Sequence, residues 1–331
     1  MRVRKWAAIV LVAGLAAVTA ACGSSDNNSS SGSSSSGSSG GKNYKMTLIA
    51  GVKGDEFYVT MNCGAQAEAK KNNVSLDFQG PDEFDASQQT PIVNAVSAKK
   101  PDAVLIAPTD TQALYAPIKQ LASNGSKVVL VDTTLDKPDM AVSQIASNNL
   151  EGGRAAASEL LKLTGGSGKY LVINVKPGIS TTDQRAQGFE EGLKGKSGVQ
   201  YLGQQYNNDD PAKAASIVTA TLAKHPDLKG IFATNLFGAE GAATGLRQAG
   251  KFGQVKVVGF DAGPQQVQAL KQGVVQALIA QQPSEIGKLG VDQALAALKG
   301  QPTKPKIGTG FTVLTKQNLS QNQGAEYKAS C

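Results

Sequence analysis

The chain has 331 residues and a formal net charge of +7, from 33 basic and 26 acidic residues. The basic residues are dispersed, and the densest pairs are Lys70-Lys71 and Lys99-Lys100. Nucleic-acid binding requires a basic stripe or patch, so this distribution predicts a solvated surface and argues against nucleic acid as a partner.

The first 22 residues predict an export signal that ends in a lipid-modified cysteine. Three of the first five residues are basic, and residues 6–21 are nearly all apolar and end in small residues. This run is short for a membrane span, which needs about 20 apolar residues. Its charged start and small-residue end are typical of a signal peptide. Residues 19–22 (Thr-Ala-Ala-Cys) resemble the bacterial lipobox, although Thr19 stands where Leu is usual, and we expect Cys22 to be acylated.

Residues 23–43 predict a flexible tether. Of residues 23–41, 11 are Ser and 5 are Gly, a composition that cannot bury a hydrophobic core. A random coil of this length spans roughly 25 Å. A tether that follows an acylated cysteine lets a globular body reach a membrane partner, so we expect an extracytoplasmic protein, in the periplasm or on the outer cell surface.

Residues 42–331 form a body of 290 residues, for which two lobes are predicted. Single hydrophobic cores stop growing at about 250–300 residues. If Cys22 is acylated, Cys63 and Cys331 remain, and an even number in an oxidising compartment suggests one disulfide. This disulfide would join the C-terminal residue to an early helix. Two free thiols are the alternative.

From residue 46 onward, short apolar runs alternate with longer amphipathic ones. The apolar runs predict strands at residues 46–52, 74–78, 103–107, 127–131, 169–175, 201–206, 230–234, 255–260 and 275–280, with an extended segment at 308–313. The amphipathic runs predict helices at residues 57–71, 87–98, 112–123, 151–163, 184–194, 211–224, 239–249, 264–271 and 283–298. This alternation indicates βαβ units with parallel sheets, so the predicted fold class is α/β.

Polar residues follow five of the predicted strands near the point where each strand ends. They are Asp55, Asp110, Asp132, Asn235 and Asp261. In open α/β sheets, ligands bind outside the carboxyl ends of the strands. Any one of these residues alone is better explained as a turn former or a helix cap, but five at equivalent places favour a binding site.

The body from residue 46 to the end resembles the ribose-binding-protein family of periplasmic solute receptors, which have the type I fold. The resemblance depends on the order and spacing of short motifs. These are GAQ at 64–66, APTD at 107–110, VD at 131–132, IASNN at 145–149, QRAQGF at 184–189, HPD at 225–227, FATN at 232–235, VGFD at 258–261 and IAQ at 279–281.

The resemblance implies two Rossmann-like lobes with parallel sheets, joined by a three-segment hinge. The crossings are expected near Ser147, Gln281 and Gly308. The N-terminal lobe would comprise residues 44–147 and 282–308, and the C-terminal lobe residues 148–281 and 309–331. Each lobe is therefore expected to be discontinuous in sequence.

The resemblance also implies a monosaccharide or polyol held by side chains from both lobes. Aromatic faces cover apolar ligand surface, and charged groups form strong hydrogen bonds with hydroxyls. Matched position by position, the family's contacts fall on the aromatic residues Phe57 and Tyr58 and on the polar residues Asp132, Arg185, Asn235, Asp261 and Gln281.

Three further candidate ligand residues depart from the pattern of the ribose receptors. Asp55 stands where those receptors carry Asn, and Thr133 where they carry Arg. Asp209 lies where an aromatic residue is expected, with Tyr206 as a possible substitute. The predicted site thus loses a positive charge and gains acids. We do not expect ribose in particular; a polyol, another pentose or hexose, or a ligand with a cationic group all remain open.

The function implied by the resemblance is the substrate-binding component of an ABC importer, acting as a monomer with membrane permease and ATPase subunits as partners. Two alternatives remain. One is a receptor for a chemosensory or two-component signalling system. The other is a binding protein for an amino sugar, a nucleoside-like compound or an autoinducer. A DNA-binding regulator of the same fold would need a DNA-binding helix pair where the signal and tether lie.

We expect no enzymatic activity, no cofactor and no metal site. The body has a single histidine, His225, so no histidine cluster can bind a metal. A Ser-His-Asp triad would have to use the same residue, which lies away from the predicted strand ends.

Overall fold

The computed structural model describes residues 43–331. The predicted export signal, Cys22 and the tether before residue 43 lie outside the described residues. Among residues 43–331, no helix combines the length and the apolar character that a bilayer crossing requires.

Strands and helices alternate through most of the described chain. The strands are β1 (Lys45–Ile49), β2 (Ser75–Gln79), β3 (Ala103–Ile106), β4 (Lys127–Val131), β5 (Ala141–Ser147), β6 (Gly168–Asn174), β7 (Val199–Tyr206), β8 (Leu228–Ala233), β9 (Lys256–Phe260), β10 (Ala277–Gln281), β11 (Lys306–Thr309) and β12 (Phe311–Thr315). The helices are α1 (Glu56–Lys71), α2 (Ala86–Lys99), α3 (Tyr115–Ser123), α4 (Asn149–Thr164), α5 (Ser180–Leu193), α6 (Pro211–Lys224), α7 (Leu236–Gln248), α8 (Pro264–Gln272) and α9 (Pro283–Leu298).

The first sheet has the strand order β11-β5-β4-β3-β1-β2, and every neighbouring pair in it is parallel. Helices α1 and α9 cover one face, and α2 and α3 cover the other. All four residues of β3 are buried, as expected for a strand that is covered on both faces. This sheet and its helices form the first lobe.

The second sheet has the order β12-β10-β9-β8-β6-β7. Its strands are parallel except that β12 runs antiparallel to β10 at the edge. Helices α4 and α5 pack on one face, where Phe189 stacks on Phe232 with ring centroids 4.8 Å apart. Helices α6, α7 and α8 pack on the other. The result is a second α/β lobe with the same layered construction, as predicted.

Three connections between the sheets lie side by side. The chain passes between sheets after β5, after β10 and between β11 and β12. The hydroxyl of Ser147 donates to Oε1 of Gln281 at 2.7 Å and lies 3.4 Å from the hydroxyl of Thr309. Asn148 N donates to the carbonyl of Thr309 at 3.0 Å. Hydrogen bonds therefore link the three connections to one another.

Several elements differ from the sequence-based prediction. Strand β5 was not predicted, because Ala141–Ser147 alternates half-buried and buried positions and lacks a continuous apolar run. The extended segment predicted at 308–313 is the junction of two strands that belong to different sheets. Helix α5 begins at Ser180, four residues before the predicted start, and this additional turn contributes to the site described below.

The C-terminal segment, residues 316–331, follows β12 and returns to the first lobe. Its last residue, Cys331, forms a disulfide with Cys63 of α1, with the two Cα atoms 5.4 Å apart. Lys328 N donates to the hydroxyl of Thr60 at 2.7 Å, on the same helix. We call residues 316–331 the C-terminal strap.

Candidate ligand-binding site

A cavity of about 390 Å³ lies between the carboxyl ends of the two sheets. The first lobe contributes Asp55, Phe57, Tyr58, Phe84 and Asp132, and the second contributes Val175, Ile179, Thr181, Thr182, Arg185, Asp209, Asn235, Asp261 and Gln281. The lining thus combines aromatic side chains with a high density of charged and amide groups.

Two of the lining residues are also helix caps. Oδ1 of Asp55 accepts a hydrogen bond of 2.8 Å from Phe57 N at the start of α1. Oδ1 of Asn235 accepts one of 3.1 Å from Gly238 N at the start of α7. Capping uses one atom of each side chain, and Nδ2 of Asn235 donates to Oδ1 of Asp209 at 2.6 Å. Asp55 and Asn235 can therefore cap a helix and line the cavity at the same time.

Three carboxylates of the site lie at residues with left-handed backbone. The φ angles are 63° at Asp132, 64° at Asp209 and 79° at Asp261. This region is uncommon for residues other than glycine, although Asp adopts it more readily than most. Such strained residues cluster at functional sites, where the surrounding structure maintains them. Asp132 and Asp261 directly follow the central strands β4 and β9.

Arg185 of α5 supplies the positive charge of the cavity and is only 3% exposed. Its Nε donates to Oδ1 of Asn149 at 2.8 Å, and its Nη1 donates to the carbonyl of Thr234 at 2.9 Å. The guanidinium lies over the ring of Phe260, 3.9 Å from the centroid. These contacts fix its plane, and a planar fork of donors suits pairs of neighbouring ligand oxygens.

Asp261 is the centre of a hydrogen-bond network in the second lobe. Its Oδ1 accepts from Nε2 of Gln281 at 2.6 Å and from the hydroxyl of Tyr327 at 3.1 Å. Oε1 of Gln281 accepts in turn from the hydroxyl of Ser147, at the connection after β5. The orientation of a site carboxylate is therefore linked to the connections between lobes and to the C-terminal strap.

The first lobe presents an aromatic wall and two carboxylates. Phe57 and Tyr58 pack edge to face with ring centroids 5.1 Å apart, and both are buried. The hydroxyl of Tyr58 donates to Oδ2 of Asp132 at 2.7 Å. Phe84, from the loop between β2 and α2, adds a third ring to the lining.

Four carboxylates share this cavity with one guanidinium, and their pKa values are raised. Burial raises the pKa of Asp132 to about 6, although Arg185 opposes the shift. Burial also raises the pKa of Asp209 to about 6. Burial, with smaller contributions from the charges of Asp261 and Asp209, raises the pKa of Asp55 well above its usual value. The cavity lining therefore carries more acidic than basic groups.

The structure brings together all the predicted ligand residues except Thr133. The hydroxyl of Thr133 donates to the carbonyl of Pro108 at 2.7 Å, and the residue is not among those lining the cavity. Asp110 also lies outside, where its Oδ1 caps the turn at Gln112 and Ala113. Tyr206, at the end of β7, is 37% exposed and does not take the place of an aromatic residue in the cavity.

Sequence reasoning missed five lining residues, namely Phe84, Val175, Ile179, Thr181 and Thr182. Thr181 and Thr182 belong to the first turn of α5, which precedes the predicted start of this helix at residue 184. The hydroxyl of Thr182 is buried and has no hydrogen-bond partner within the described part of the chain. Of these five residues, only Phe84 had a signal in the sequence, because it is an isolated aromatic residue in an acidic loop.

The two lobes are in direct contact at the mouth of the cavity. Nζ of Lys176 donates to the carbonyl of Phe84 at 2.8 Å, and Thr134 N donates to the hydroxyl of Ser180 at 3.0 Å. Thr111 N donates to the carbonyl of Gly178 at 3.3 Å. These contacts lie on the side opposite the three connections, so the two lobes are closed over the cavity. In the region covered by the structure, no group of His, Cys, Asp and Glu side chains is arranged to hold a metal ion.

Known proteins that are similar to this chain in sequence are sugar-binding proteins. The ribose import binding protein of Salmonella typhimurium is 32% identical over 275 residues, which cover 82% of this chain and 90% of that protein. The D-ribose/D-allose-binding protein of Pseudomonas aeruginosa is 32% identical over 276 residues, covering 80% and 85% of the two chains.

A solved structure extends this similarity to the fold. The ABC transporter solute-binding protein of Agrobacterium vitis, bound with α-D-tagatopyranose, is 44% identical and superposes with a TM-score of 0.85. The match covers 86% of this chain and 99% of that one. A family model described as a periplasmic binding protein domain matches residues 46–302. The chain therefore belongs to the periplasmic binding protein family.

Proposed function

We propose that this protein captures a monosaccharide or polyol in the cavity between its lobes and delivers it to an ABC importer. The observation that carries the proposal is the convergence of Asp132, Arg185 and Asp261 on one cavity beside an aromatic wall. Carboxylates and guanidinium form strong hydrogen bonds with vicinal hydroxyls, and aromatic faces cover the C–H surface of a sugar ring. The similarity to import binding proteins favours import over the sensory alternative.

The division of labour among the side chains follows from their chemistry. Phe57, Tyr58 and Phe84 cover the apolar face of the ligand. Arg185 donates to ligand oxygens, and the four carboxylates accept from its hydroxyls. Asn235 and Gln281 contribute amide groups that are already oriented by their carboxylate partners.

Ligand capture proceeds by closure of the lobes about the three connections. The ligand touches both lobes only in the closed state, so it favours that state by its difference in affinity between open and closed forms. The contacts of Lys176 with Phe84 and of Thr134 with Ser180 form at the same time. We propose lobe boundaries at residues 147, 281 and 308, at or next to the last residues of β5, β10 and β11.

A ligand with a cationic group is a second candidate, favoured by the charge of the cavity. Asp132 and Asp261 interact with the charge of Arg185, and Asp209 interacts with that of Lys176. Burial, followed by the charges of Asp261 and Asp209, raises the pKa of Asp55. An ammonium group near Asp55 and Asp209 would offset this excess. Amino sugars therefore belong in any ligand screen.

The body acts outside the cytoplasm as a monomer, with permease and ATPase subunits as membrane partners. Acylation of Cys22 anchors the chain, and the tether lets the body reach the permease. The disulfide between Cys63 and Cys331 suits an oxidising compartment.

A thermal-shift screen over sugars, polyols, amino sugars, nucleosides and amino acids tests the proposal. A ligand present at 100 times its Kd stabilises the folded state by about 2.7 kcal/mol, which is readily detected. Stabilisation by a sugar, polyol or amino sugar, with compaction in small-angle scattering, supports the proposal. Stabilisation by nucleosides or amino acids alone would refute the ligand class.

A further inference from the structure

The C-terminal strap lies beyond the part of the chain that the family model matches, which ends at residue 302. It leaves the second lobe at β12 and ends in a disulfide with α1 of the first lobe. Between these points it contains two single 3₁₀ turns, Leu319–Gln321 and Gln323–Ala325. The strap is thus an additional link between lobes, separate from the three connections.

One residue of the strap reaches the back of the ligand cavity. Tyr327 is 4% exposed, and its backbone N donates to the carbonyl of Ala262 at 2.9 Å. Its hydroxyl accepts from Gln281 N at 3.0 Å and donates to Oδ1 of Asp261 at 3.1 Å. Its ring meets the edge of Phe57 with centroids 5.9 Å apart. Tyr327 therefore contacts cavity-lining residues of both lobes without lining the cavity itself.

We propose that Tyr327 is a positioning residue of the ligand site, and that the Cys63–Cys331 disulfide holds it there. This inference rests on the proposed function, because it concerns the same cavity. A hydrogen bond to a buried carboxylate is among the stronger ones in proteins, so loss of the hydroxyl removes one of the donors that orient Asp261.

The disulfide matters because the strap has little regular structure of its own. Ordering each residue of an irregular segment costs conformational entropy, which the packing of a short strap offsets only in part. Covalent attachment at Cys331 keeps the strap near α1, where Lys328 N bonds Thr60. After reduction, the strap spends part of its time detached. Apparent affinity then falls in proportion to the fraction of molecules in which Tyr327 is in place.

The first experiment replaces the hydroxyl alone. Tyr327→Phe is compared with Tyr201→Phe, which removes a buried hydroxyl that has no partner among residues 43–331 and lies outside the cavity. The probes are D-ribose, D-allose, D-arabinose, D-fucose and D-tagatose, using whichever stabilises the wild type most. We expect Kd to rise about tenfold or more in Tyr327→Phe and to stay within about twofold in Tyr201→Phe.

The pH profile distinguishes positioning from simple packing. Burial raises the pKa of Asp261, and the hydrogen bond from the hydroxyl of Tyr327 opposes this rise. Asp261 also faces Arg185 and Gln281 and the carboxylates of Asp55, Asp132 and Asp209. Without the hydroxyl, loss of affinity on acidification should begin at higher pH. An unchanged Kd and an unchanged profile in Tyr327→Phe would overturn the assignment.

The second experiment addresses the disulfide, and its hydrogen-exchange readout needs no ligand. Hydrogen exchange is followed at the amide of Gln281, which donates to Tyr327, in the oxidised wild type, the reduced wild type and the C63S/C331S variant. We expect faster exchange in the last two, a Kd raised roughly threefold or more, and no response of the variant to reductant. Equal exchange in all three would refute the role of the disulfide. If no sugar, polyol or amino sugar binds the wild type, the proposed function fails while the exchange measurement still decides the role of the strap.

Discussion

The two lobes contribute different kinds of surface to the cavity. The second lobe supplies a network in which polar side chains hold one another, with Arg185 bonded to Asn149, Asn235 to Asp209, and Gln281 to Asp261. The first lobe supplies Phe57 and Phe84, the Tyr58–Asp132 pair and the carboxylate of Asp55. The comparison indicates that the second lobe fixes the orientation of the ligand and that the first lobe covers it.

This asymmetry has an energetic basis. Side chains that are already immobilised lose little entropy when a ligand arrives, so their hydrogen bonds contribute more to affinity. The network of the second lobe meets this condition, because both amide groups and the guanidinium have protein partners on more than one side. The first lobe contributes mainly apolar area, which is less sensitive to the orientation of the ligand. Single substitutions can therefore test which lobe dominates.

The largest effect is expected from Arg185→Ala in the second lobe. Removing the guanidinium takes away ligand donors and leaves Asp132 and Asp261 without their neighbouring cation. We expect Kd to rise by about 100-fold or more, measured by titration calorimetry. The matched control is Arg154→Ala on α4, an exposed arginine paired with Glu191, for which a change within about twofold is expected. A loss below tenfold in Arg185→Ala would reverse the proposed ranking of the lobes.

A smaller loss is expected from Tyr58→Phe in the first lobe. The change keeps the aromatic surface and removes the hydroxyl that orients Asp132. We expect Kd to rise about tenfold, since the lost hydrogen bond is to a carboxylate. Tyr115→Phe, at a half-buried tyrosine of the same lobe that does not line the cavity, serves as the control. If Tyr58→Phe weakens binding as much as Arg185→Ala, the two lobes contribute equally.

The electrostatic cost of the second lobe can be tested without a ligand, through Asp209→Asn. The pKa of Asp209 is about 6 in the folded protein and near 3.8 when unfolded. Between these two pH values the folded state therefore binds more protons than the unfolded state. The contribution of Asp209 to the free energy of unfolding falls as pH rises from about 4 to 6 and stays low above pH 6. We expect Asp209→Asn to raise Tm at pH 7.5 by about 2–4 °C and to leave it unchanged near pH 4.

The control for this change is the adjacent Asp210→Asn. Asp210 caps α6 through its Oδ1, and Asn is an equally good cap, so little change in Tm is expected at either pH. A Tm gain for Asp209→Asn that is the same at both pH values would argue against a titrating carboxylate as its cause.

The smallest effect is expected from Thr133→Val, at the predicted ligand residue that lies outside the cavity. Its hydroxyl bonds the carbonyl of Pro108, so the substitution removes one buried hydrogen bond. We expect stability to fall by about 1 kcal/mol in a denaturant titration and Kd to stay within about twofold. A large loss of affinity would place Thr133 in contact with the ligand and extend the site in the first lobe.

Local patterns in the sequence were sufficient for the layered α/β architecture. Continuous apolar runs such as β3 and residues 230–233 of β8 are buried on both faces, and this requirement is visible in the residues themselves. Strand β5 was not predicted from the sequence. Its burial depends on α9 and β11, which lie more than 130 residues later in the chain. The segment at 308–313 looks uniform in sequence, and only pairing with distant partners divides it between two sheets.

For the candidate site, too, the sequence determined some features and the tertiary structure decided others. The sequence by itself determined that Asp55, Asp132, Asn235 and Asp261 follow strands, and parallel strands end at a common edge. Only the tertiary structure decided that Asp110 and Thr133 turn away, that α5 begins early enough to bring in Thr182, and that Tyr327 reaches Asp261. The physical reason is that the ends of strands depend on the residues nearby in the sequence. The side chains that meet in a cavity depend instead on how the two sheets are placed relative to each other.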